Sequence, residues 1–264
     1  MELKELCEQT CELVRQVGQF IKEESHKITE ANIEVKGKNN FVTYVDKKSE
    51  AMLVEGLKKI LPDAGFIAEE GTESNTGENF MWIIDPLDGT TNFIHGCPPF
   101  SISVGLAGKD ETLLLGVVYE IFSGECFYAW KGGKSWLNGK QISVSSIDKT
   151  SDALIATGFP YSAFEKIKSI MGSLEYLFFN SHGVRRLGSA AIDLAYVACG
   201  RYDAFYEYNL NPWDVAAGAI IVLEAGGKVS DFKGGKNFLY GREVIASNKI
   251  LHNEFQNIIE KYFS

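Results

Sequence analysis

Histidine, cysteine and positive charge are all scarce in this 264-residue chain, and each scarcity removes a class of function. The five cysteines, Cys7, Cys11, Cys97, Cys126 and Cys199, form no C-x-x-C pair and are odd in number. That argues against a disulfide framework or a zinc knuckle and for reduced thiols in the cytoplasm. The four histidines, His26, His95, His182 and His252, show no ligand spacing. His95 follows an apolar pair and has no nucleophilic Cys or Ser in a recognisable frame, so its expected place is structural or peripheral. Long apolar runs are missing too, and Val215–Leu223 falls well short of a bilayer span. The amino terminus carries no signal-peptide core, so the expected protein is soluble, intracellular and away from membranes. Lys and Arg number 26 against 35 Asp and Glu, a formal net charge of −9, and never form a long block. Nucleic acid is therefore an unexpected partner, because a phosphate backbone needs a basic face. No G-x-S-x-G or G-x-G-x-x-G occurs, and Gly132-Gly133-Lys134-Ser135 lacks the first glycine of a P-loop, whose place holds Tyr128.

What the chain has is apolar surface and clear periodicity. Hydrophobic residues make up 45% and aromatics 12%, ample for a globular core. Leu3, Leu6, Cys7, Leu13, Val14, Val17, Phe20 and Ile21 recur at helical spacing and predict an amphipathic helix over 2–24. A second helix is expected after Asp46, with Met52, Leu53, Leu57 and Ile60 inward and Pro62 past its end. From Ser101 to Val144 the pattern becomes a meander: Ser101–Leu106, Leu113–Tyr119, Glu125–Trp130 and, after an Asn138-Gly139 turn, Gln141–Val144. Strands at Ala153–Thr157, Val184–Leu187, Ala204–Glu207, Lys228–Ser230 and Val244–Ala246 then alternate with helices at Ala163–Phe178, Ala190–Cys199, Val215–Ala225 and Asn248–Tyr262. The expected class is α/β (α+β). No linker or repeat breaks the order, so 1–264 reads as one domain with a soft internal boundary near 145–150.

The most informative string is Trp82-Ile83-Ile84-Asp85-Pro86-Leu87-Asp88-Gly89-Thr90-Thr91-Asn92. Phe80–Ile84 has the length and branching of a buried strand, so Asp85 should emerge at its carboxyl end, where open α/β sheets place ligands. Pro86 is expected to turn the chain and bring Asp88 back beside Asp85. Gly89 permits a backbone geometry that a side chain obstructs, and Thr90, Thr91 and Asn92 open a helix whose amides suit phosphate oxygens. Two carboxylates about 4 Å apart repel by roughly 4 kcal/mol at a surface-like dielectric, so both stay ionised only with a cation between them. Oxygen-only ligands select Mg²⁺ or Mn²⁺ over zinc.

Phe66-Ile67-Ala68-Glu69-Glu70-Gly71 likewise opens an apolar run onto adjacent acids. Side chains alternate along an extended chain, so at most one of Glu69 and Glu70 reaches a shared pocket. In Asn211-Pro212-Trp213-Asp214, Pro212 starts a helix, Asp214 lies in its first turn, and Ala216, Ala217 and Gly218 allow close packing. Such aspartates are commonly caps. From local context alone Lys36, Asp46, Arg186 and Glu207 read as ordinary polar positions as readily as functional ones.

Taken in order, these strings resemble the inositol monophosphatases, a family of Mg²⁺-dependent, lithium-sensitive phosphatases. Asp85–Asn92 matches the family's first signature and Trp213–Gly218 its second, while Ala68-Glu69-Glu70 lies in its usual place between Asp46 and Asp85. Thr157-Gly158-Phe159-Pro160-Tyr161 is nearer to bacterial than to animal members, and Ala68 stands where many members have glycine. The resemblance covers residues 2–262. It implies a layered αβαβα sandwich, a homodimer, and a cleft for two or three Mg²⁺ ions, with Mn²⁺ as a substitute. By that resemblance Glu69, Asp85 and the Leu87 carbonyl would hold one ion, Asp85, Asp88 and Asp214 a second, and Glu69 a third through water. Thr90, positioned by Asp46, would orient and help deprotonate the attacking water. Gly89, Thr90 and Thr91 would contact phosphate, and Asp88 and Glu207 the sugar hydroxyls. Lys36, near the loop that carries a metal ligand, and Arg186 are further candidates.

The expected enzyme hydrolyses inositol monophosphate, or a similar polyol monophosphate, by in-line attack of water. Glu207 favours a ring polyol, since a carboxylate accepts from vicinal hydroxyls and repels a second phosphate. Fructose 1,6-bisphosphate and 3′-phosphoadenosine 5′-phosphate are the alternatives within the same superfamily. A phosphoaspartate phosphatase carries D-x-D-x-T, whereas the spacing here is D-x-x-D-G-T. An alternative of another class is a regulatory module contacting RNA or transcription machinery, as some bacterial relatives do, although the net charge of −9 disfavours direct RNA contact.

Overall fold

The computed structural model describes residues 2–28, 33–37, 40–75, 77–160 and 164–264. Helix α1 (Leu3–Glu24) turns Leu6, Cys7, Val14, Val17 and Ile21 inward, as the spacing of its apolar residues dictates. A two-stranded ribbon, β1 (Ile33–Gly37) and β2 (Asn40–Thr43), leads into α2 (Tyr44–Ile60). Next come β3 (Gly65–Ala68), β4 (Ser74–Asn75), β5 (Phe80–Asp88) and the short α3 (Thr90–Ile94). The meander follows as β6 (Ser101–Gly108), β7 (Leu113–Glu120), β8 (Glu125–Trp130), β9 (Ser135–Leu137) and β10 (Lys140–Ile142). These strands form an eight-stranded sheet of order β10-β9-β8-β7-β6-β5-β3-β4, with β3 parallel to β5 and the other neighbours antiparallel.

The second half runs β11 (Leu154–Thr157), α4 (Ile167–Asn180), β12 (Gly183–Arg185), α5 (Ala190–Ala198) and β13 (Ala204–Tyr208). It ends with α6 (Pro212–Glu224), β14 (Gly227–Ser230), β15 (Glu243–Asn248) and α7 (His252–Phe263). Its five-stranded sheet has the order β12-β11-β13-β15-β14. Three apolar clusters stack the layers. Val14, Val17, Leu53 and Leu57 of α1 and α2 cluster with Trp82, Ile84, Val104 and Leu115 on one face of the large sheet. Helices α5 and α6 fill the space between the sheets, joining Ile83 and Val118 on one side to Ala156, Phe205 and Val244 on the other. On the outer face of the small sheet, Ile170, Leu174, Phe255 and Ile259 of α4 and α7 meet Ile155, Tyr206 and Ile245. The order is helix, sheet, helix, sheet, helix, the expected αβαβα sandwich.

Strand alternation then delivers the acids to the middle layer. Trp82 and Ile84 face α1 and α2 while Ile83 faces α5 and α6, so Asp85 follows Ile83 inward. In β13 Ala204 and Tyr206 face outward and Phe205 faces α5 and α6, so Glu207 is delivered to the same layer. Helix α6 lies close on the large sheet because β6 and β7 present glycines to it. A Cβ on Gly105 would stand 2.8 Å from that of Ala216, and one on Gly116 2.5 Å from the Ala217 carbonyl oxygen.

Several boundaries depart from expectation. β5 does not end at Ile84 but continues through Pro86 to Asp88. Asp85 pairs with Ser103 and Asp88 with Ser101, so two residues of β5 oppose one of β6. This bulge, rather than a turn at Pro86, brings Asp88 back towards Asp85. Asn248 closes β15 instead of opening the last helix, and its Oδ1 accepts from the Ile250 and Leu251 amides. α4 begins at Ile167, and Ala163, where it was expected to start, lies outside the described residues. The Asn138-Gly139 turn is present between β9 and β10, with φ of 47° and 81°. Among the described residues no helix is long and apolar enough to cross a membrane.

His252, at the start of α7, is fully buried between Ser230 Oγ and Ser247 Oγ, each 2.9 Å from a ring nitrogen. Burial, helped by the Lys228 ammonium, pushes its pKa down from 6.5 to about 4. The fold holds the ring neutral, so its contribution to stability is complete above about pH 6.5 and is lost as pH falls towards 4. His252→Gln is therefore expected to flatten the acid side of the stability curve. Urea midpoints measured between about pH 6.5 and pH 4.5 should fall more steeply in the parent than in the variant; parallel curves would exclude this linkage.

Candidate active site

The carboxyl end of β5, the turn after β3, the end of β13 and the first turns of α3, α5 and α6 surround one cleft of about 290 Å³. Glu69, Asp85, Leu87, Asp88, Gly89, Thr90, Thr91, Arg186, Glu207 and Asp214 all line it. Glu70 is not among the lining residues, so one acid of the pair reaches the cleft as expected, although both lie in the turn past the end of β3, where strand alternation no longer decides it. Asp46 stands behind Thr90. Helix α2 opens with a reciprocal cap in which Thr43 Oγ1 accepts from the Val45 amide, while the Thr43 N–H and Oγ1 donate to Asp46 Oδ2 at 2.8 and 2.6 Å. The other Asp46 oxygen accepts from Thr90 Oγ1 at 2.9 Å, and the same hydroxyl lies 3.0 Å from the Leu87 carbonyl oxygen. Thr90 has one proton for two acceptors, so its oxygen can still accept from a donor in the cleft. Lys36 lies in β1, and its side chain is outside the described residues.

Three of the acids are fixed by backbone amides. Asp85, 2% exposed, accepts from the Leu87 amide at 2.9 Å through Oδ1. Asp88 Oδ2 accepts from Ser189 Oγ at 2.7 Å and the Ala191 amide at 2.8 Å, at the first turn of α5. Asp214 Oδ2 accepts from the Asn211 amide at 2.7 Å within the capping box of α6. Ser103 Oγ donates to the Trp213 carbonyl at 2.9 Å and so ties β6 to that helix start. Glu207 leans on Gly158, where an added Cβ would lie 2.1 Å from the carboxyl atoms. Only glycine leaves Glu207 room to lie as it does.

The cleft is electrostatically overloaded with negative charge. Burial first, then the charges of Glu69, Asp88 and Asp214, hold the Asp85 carboxyl well above the usual carboxylate range. Burial pushes Asp88 up to about 6, opposed by Ser189, the Ala191 and Ala190 amides and Arg186. Asp214 is pushed up to about 7 by burial and by Asp88, and Glu207 to about 8 by burial, Asp214 and Asp88. Burial also raises Asp46, against its bonds to Thr43 and Thr90. Arg186 draws Asp88 and Glu207 down and Arg242 draws Asp214 down without restoring ordinary values.

Among the described residues the lining offers oxygen donors, carboxylates foremost, and no histidine or cysteine. That set suits a hard divalent ion such as Mg²⁺ or Mn²⁺, whose charge would also relieve the repulsion. As they stand, no three His, Cys, Asp or Glu side chains among the described residues form a group that could hold a metal. Several neighbours carry no local signal in the sequence: Ser189 and Gly158 fix two of the acids, and Arg242 lines the cleft. Asp193 on α5 is 1% exposed with an unpartnered Oδ1, and burial plus the charges of Glu207 and Asp88 hold its carboxyl high. His95 is exposed at the end of α3, in keeping with a peripheral place.

Residues 2–263 match the model of the inositol monophosphatase family. The Nus factor SuhB of Escherichia coli (strain K12) is 43% identical over 214 residues, 81% of this chain and 80% of its own length. The inositol-1-monophosphatase of Caulobacter vibrioides is 37% identical over 244 residues, 91% of this chain and 95% of its own. The crystal structure of extragenic suppressor protein suhB from Bartonella henselae superposes with a TM-score of 0.91 at 34% identity, covering 96% of this chain and 98% of that one. With both signatures inside a match that spans nearly every residue, the chain belongs to the inositol monophosphatase family.

Proposed function

We propose that the chain is a Mg²⁺-dependent phosphomonoesterase that hydrolyses inositol monophosphate, or a similar polyol monophosphate, by direct in-line attack of water. The observation that carries this reading is the presence, in one cleft, of Glu69, Asp85, Asp88 and Asp214 with the Thr90–Asp46 pair. Glu69, Asp85, the Leu87 carbonyl, Asp88 and Asp214 would hold two Mg²⁺ ions, with Glu69 reaching a third through water. When bound, the ions supply Lewis acidity and cancel the charge of both the carboxylates and the phosphate.

The chain's own groups supply the rest. Thr90 Oγ1 donates to buried Asp46 and accepts a hydrogen bond from the attacking water, so that as the water gives its proton to Thr90 the Thr90 hydroxyl proton moves to the Asp46 carboxylate. Gly89, Thr90 and Thr91 contact the phosphate, at a turn that Gly89 enters with φ of 94°. Asp88 and Glu207 bind ring hydroxyls. In the ion-free cleft burial and the charges of Asp214 and Asp88 raise Glu207; bound ions would cancel those two charges and favour the carboxylate form, which accepts from ring hydroxyls.

A second reading, contact with the transcription machinery, is favoured by the 43% identity to a protein named Nus factor. That kinship removes support from the expectation against nucleic acid. Titration with RNA at low salt, alongside assay of myo-inositol 1-phosphate hydrolysis, separates the two, since tight RNA binding without turnover favours the binding module.

Asp85→Asn or Asp88→Asn is expected to lower Mg²⁺-dependent phosphate release by about three orders of magnitude or more, while circular dichroism shows the fold intact. Near-normal turnover in either variant would remove the assignment. Glu207→Gln is expected to raise KM for inositol phosphates more than for a simple aryl phosphate, and equal changes would take Glu207 out of substrate recognition. Because Asp88, Asp214 and Glu207 have raised values, the ion-free fold binds protons more tightly than the unfolded chain. Their contribution is favourable at low pH and lost as pH rises through about 6 to 8. The rise in Tm produced by Mg²⁺ should therefore be larger near pH 8 than near pH 5, and a rise independent of pH would contradict ion binding by these acids.

A further inference from the structure

We propose that Glu50 is the positioning residue for Glu69: its buried carboxylate clamps the turn over residues 69–72 and thereby fixes which acid faces the cleft and where. This rests on the reading of Glu69 as a metal ligand. Glu50 is completely buried on α2, and its two oxygens are divided between two backbone donors of that turn. Oε2 accepts from the Glu70 amide and Oε1 from the Thr72 amide, each at 2.7 Å. A buried carboxylate is retained only when such bonds replace its water, and here both replacements come from one turn.

The turn is pinned on its other side as well. The Glu69 N–H donates to the Ile84 carbonyl of β5 at 3.2 Å, one residue before Asp85. Gly71 follows with φ of 72°, a left-handed conformation that makes the chain reverse within reach of α2. Three amides in four residues are thus held, one by the strand that carries Asp85 and two by Glu50. The Glu70 amide belongs to the planar peptide that leaves Glu69, so fixing it restricts the backbone of Glu69 and with it the approach of that side chain to the cleft. Asp46 and Glu50 lie four residues apart on one face of α2, so the same helix face orients Thr90 through one acid and the Glu69 turn through the other.

A glutamine at position 50 has one acceptor oxygen for two amide donors and turns an NH₂ group towards one of them, so the clamp opens on one side. The test measures Mg²⁺ binding by isothermal titration calorimetry on the purified proteins, and phosphate release from myo-inositol 1-phosphate as a function of Mg²⁺. Glu50→Gln is expected to weaken Mg²⁺ binding about 10- to 100-fold, the range for loss of a residue that orients a metal ligand. At saturating Mg²⁺ its KM for the monoester should stay within about twofold of the parent. The double variant Glu50→Gln/Glu69→Gln should bind Mg²⁺ no more weakly than Glu69→Gln alone, because Glu50 acts only through Glu69. If Glu50→Gln does not fold, Glu50→Asp keeps the charge, loses reach to one amide and carries the same cycle. Unchanged Mg²⁺ affinity, even with a lowered Tm, overturns the assignment of Glu50, as does a double variant in which the two losses add. A Glu69→Gln protein with parental Mg²⁺ affinity overturns instead the metal-ligand reading on which the assignment stands.

Discussion

Carboxyl groups gathered in one desolvated cleft repel each other, and much of the architecture around the cleft serves to hold them there. Asp85, Asp88, Glu207 and Asp214 all have raised values, and in every case burial is the first cause; a neighbouring acid adds to it at Asp85, Glu207 and Asp214, whereas at Asp88 the Ser189 hydroxyl comes next and opposes it. The fold answers with backbone dipoles. Amides of residues 87, 191 and 211 each donate to one acid, so three elements lock three carboxylates without adding a cation. Such bonds lower the cost of burial but leave the mutual repulsion in place. On the proposed function a divalent ion would relieve that repulsion, so that stability is given up in the ion-free cleft for the sake of binding.

That arrangement exists only when the whole sandwich is assembled. Glu69 and Asp85 come from the large sheet, Glu207 from the small one, and Asp88 and Asp214 meet the first turns of α5 and α6 between them. The middle layer is therefore both the shared core and the floor of the cleft. Its small residues matter for this reason: Ala216 and Ala217 against Gly105 and Gly116, and Gly218 against Leu194, bring α6 close enough for Asp214 to reach the end of β5. A larger residue at any of these contacts would displace Asp214 as well as strain the core.

What could be read from the sequence is what neighbouring residues decide among themselves. The Asp85–Asn92 string carries its own strand end, glycine turn and helix start, and Pro212 with Asp214 carries a helix start, so these acids were visible. The helices were visible through their period. What could not be read depends on partners far along the chain. Ser189 reaches Asp88 across 101 residues, and Glu50 reaches the Glu70 and Thr72 amides across 20 and 22. Gly158 matters because of Glu207, and nothing beside it says so. The course of β5 shows the same limit: Pro86 has the local character of a turn, but pairing of Asp85 with Ser103 and Asp88 with Ser101 makes it part of a bulge. Asn248, a residue type that favours helix starts, instead ends a strand because β15 pairs through it with Gly227.

Net charge says little about nucleic acid for a related reason. A formal charge of −9 is an average over the whole chain, whereas a partner meets only the surface. Among the described residues Asp46, Glu50, Asp85, Glu120, Asp193 and Asp203 are buried, and no lysine or arginine is. Glu69, Asp88, Glu207 and Asp214 line the cleft rather than the outer surface. Much of the acidic excess is thus interior, and the outer surface is closer to neutral than the composition implies. Acidity here reports the chemistry of the cleft, and the identity of any macromolecular partner is set by the distribution of the charges left outside it.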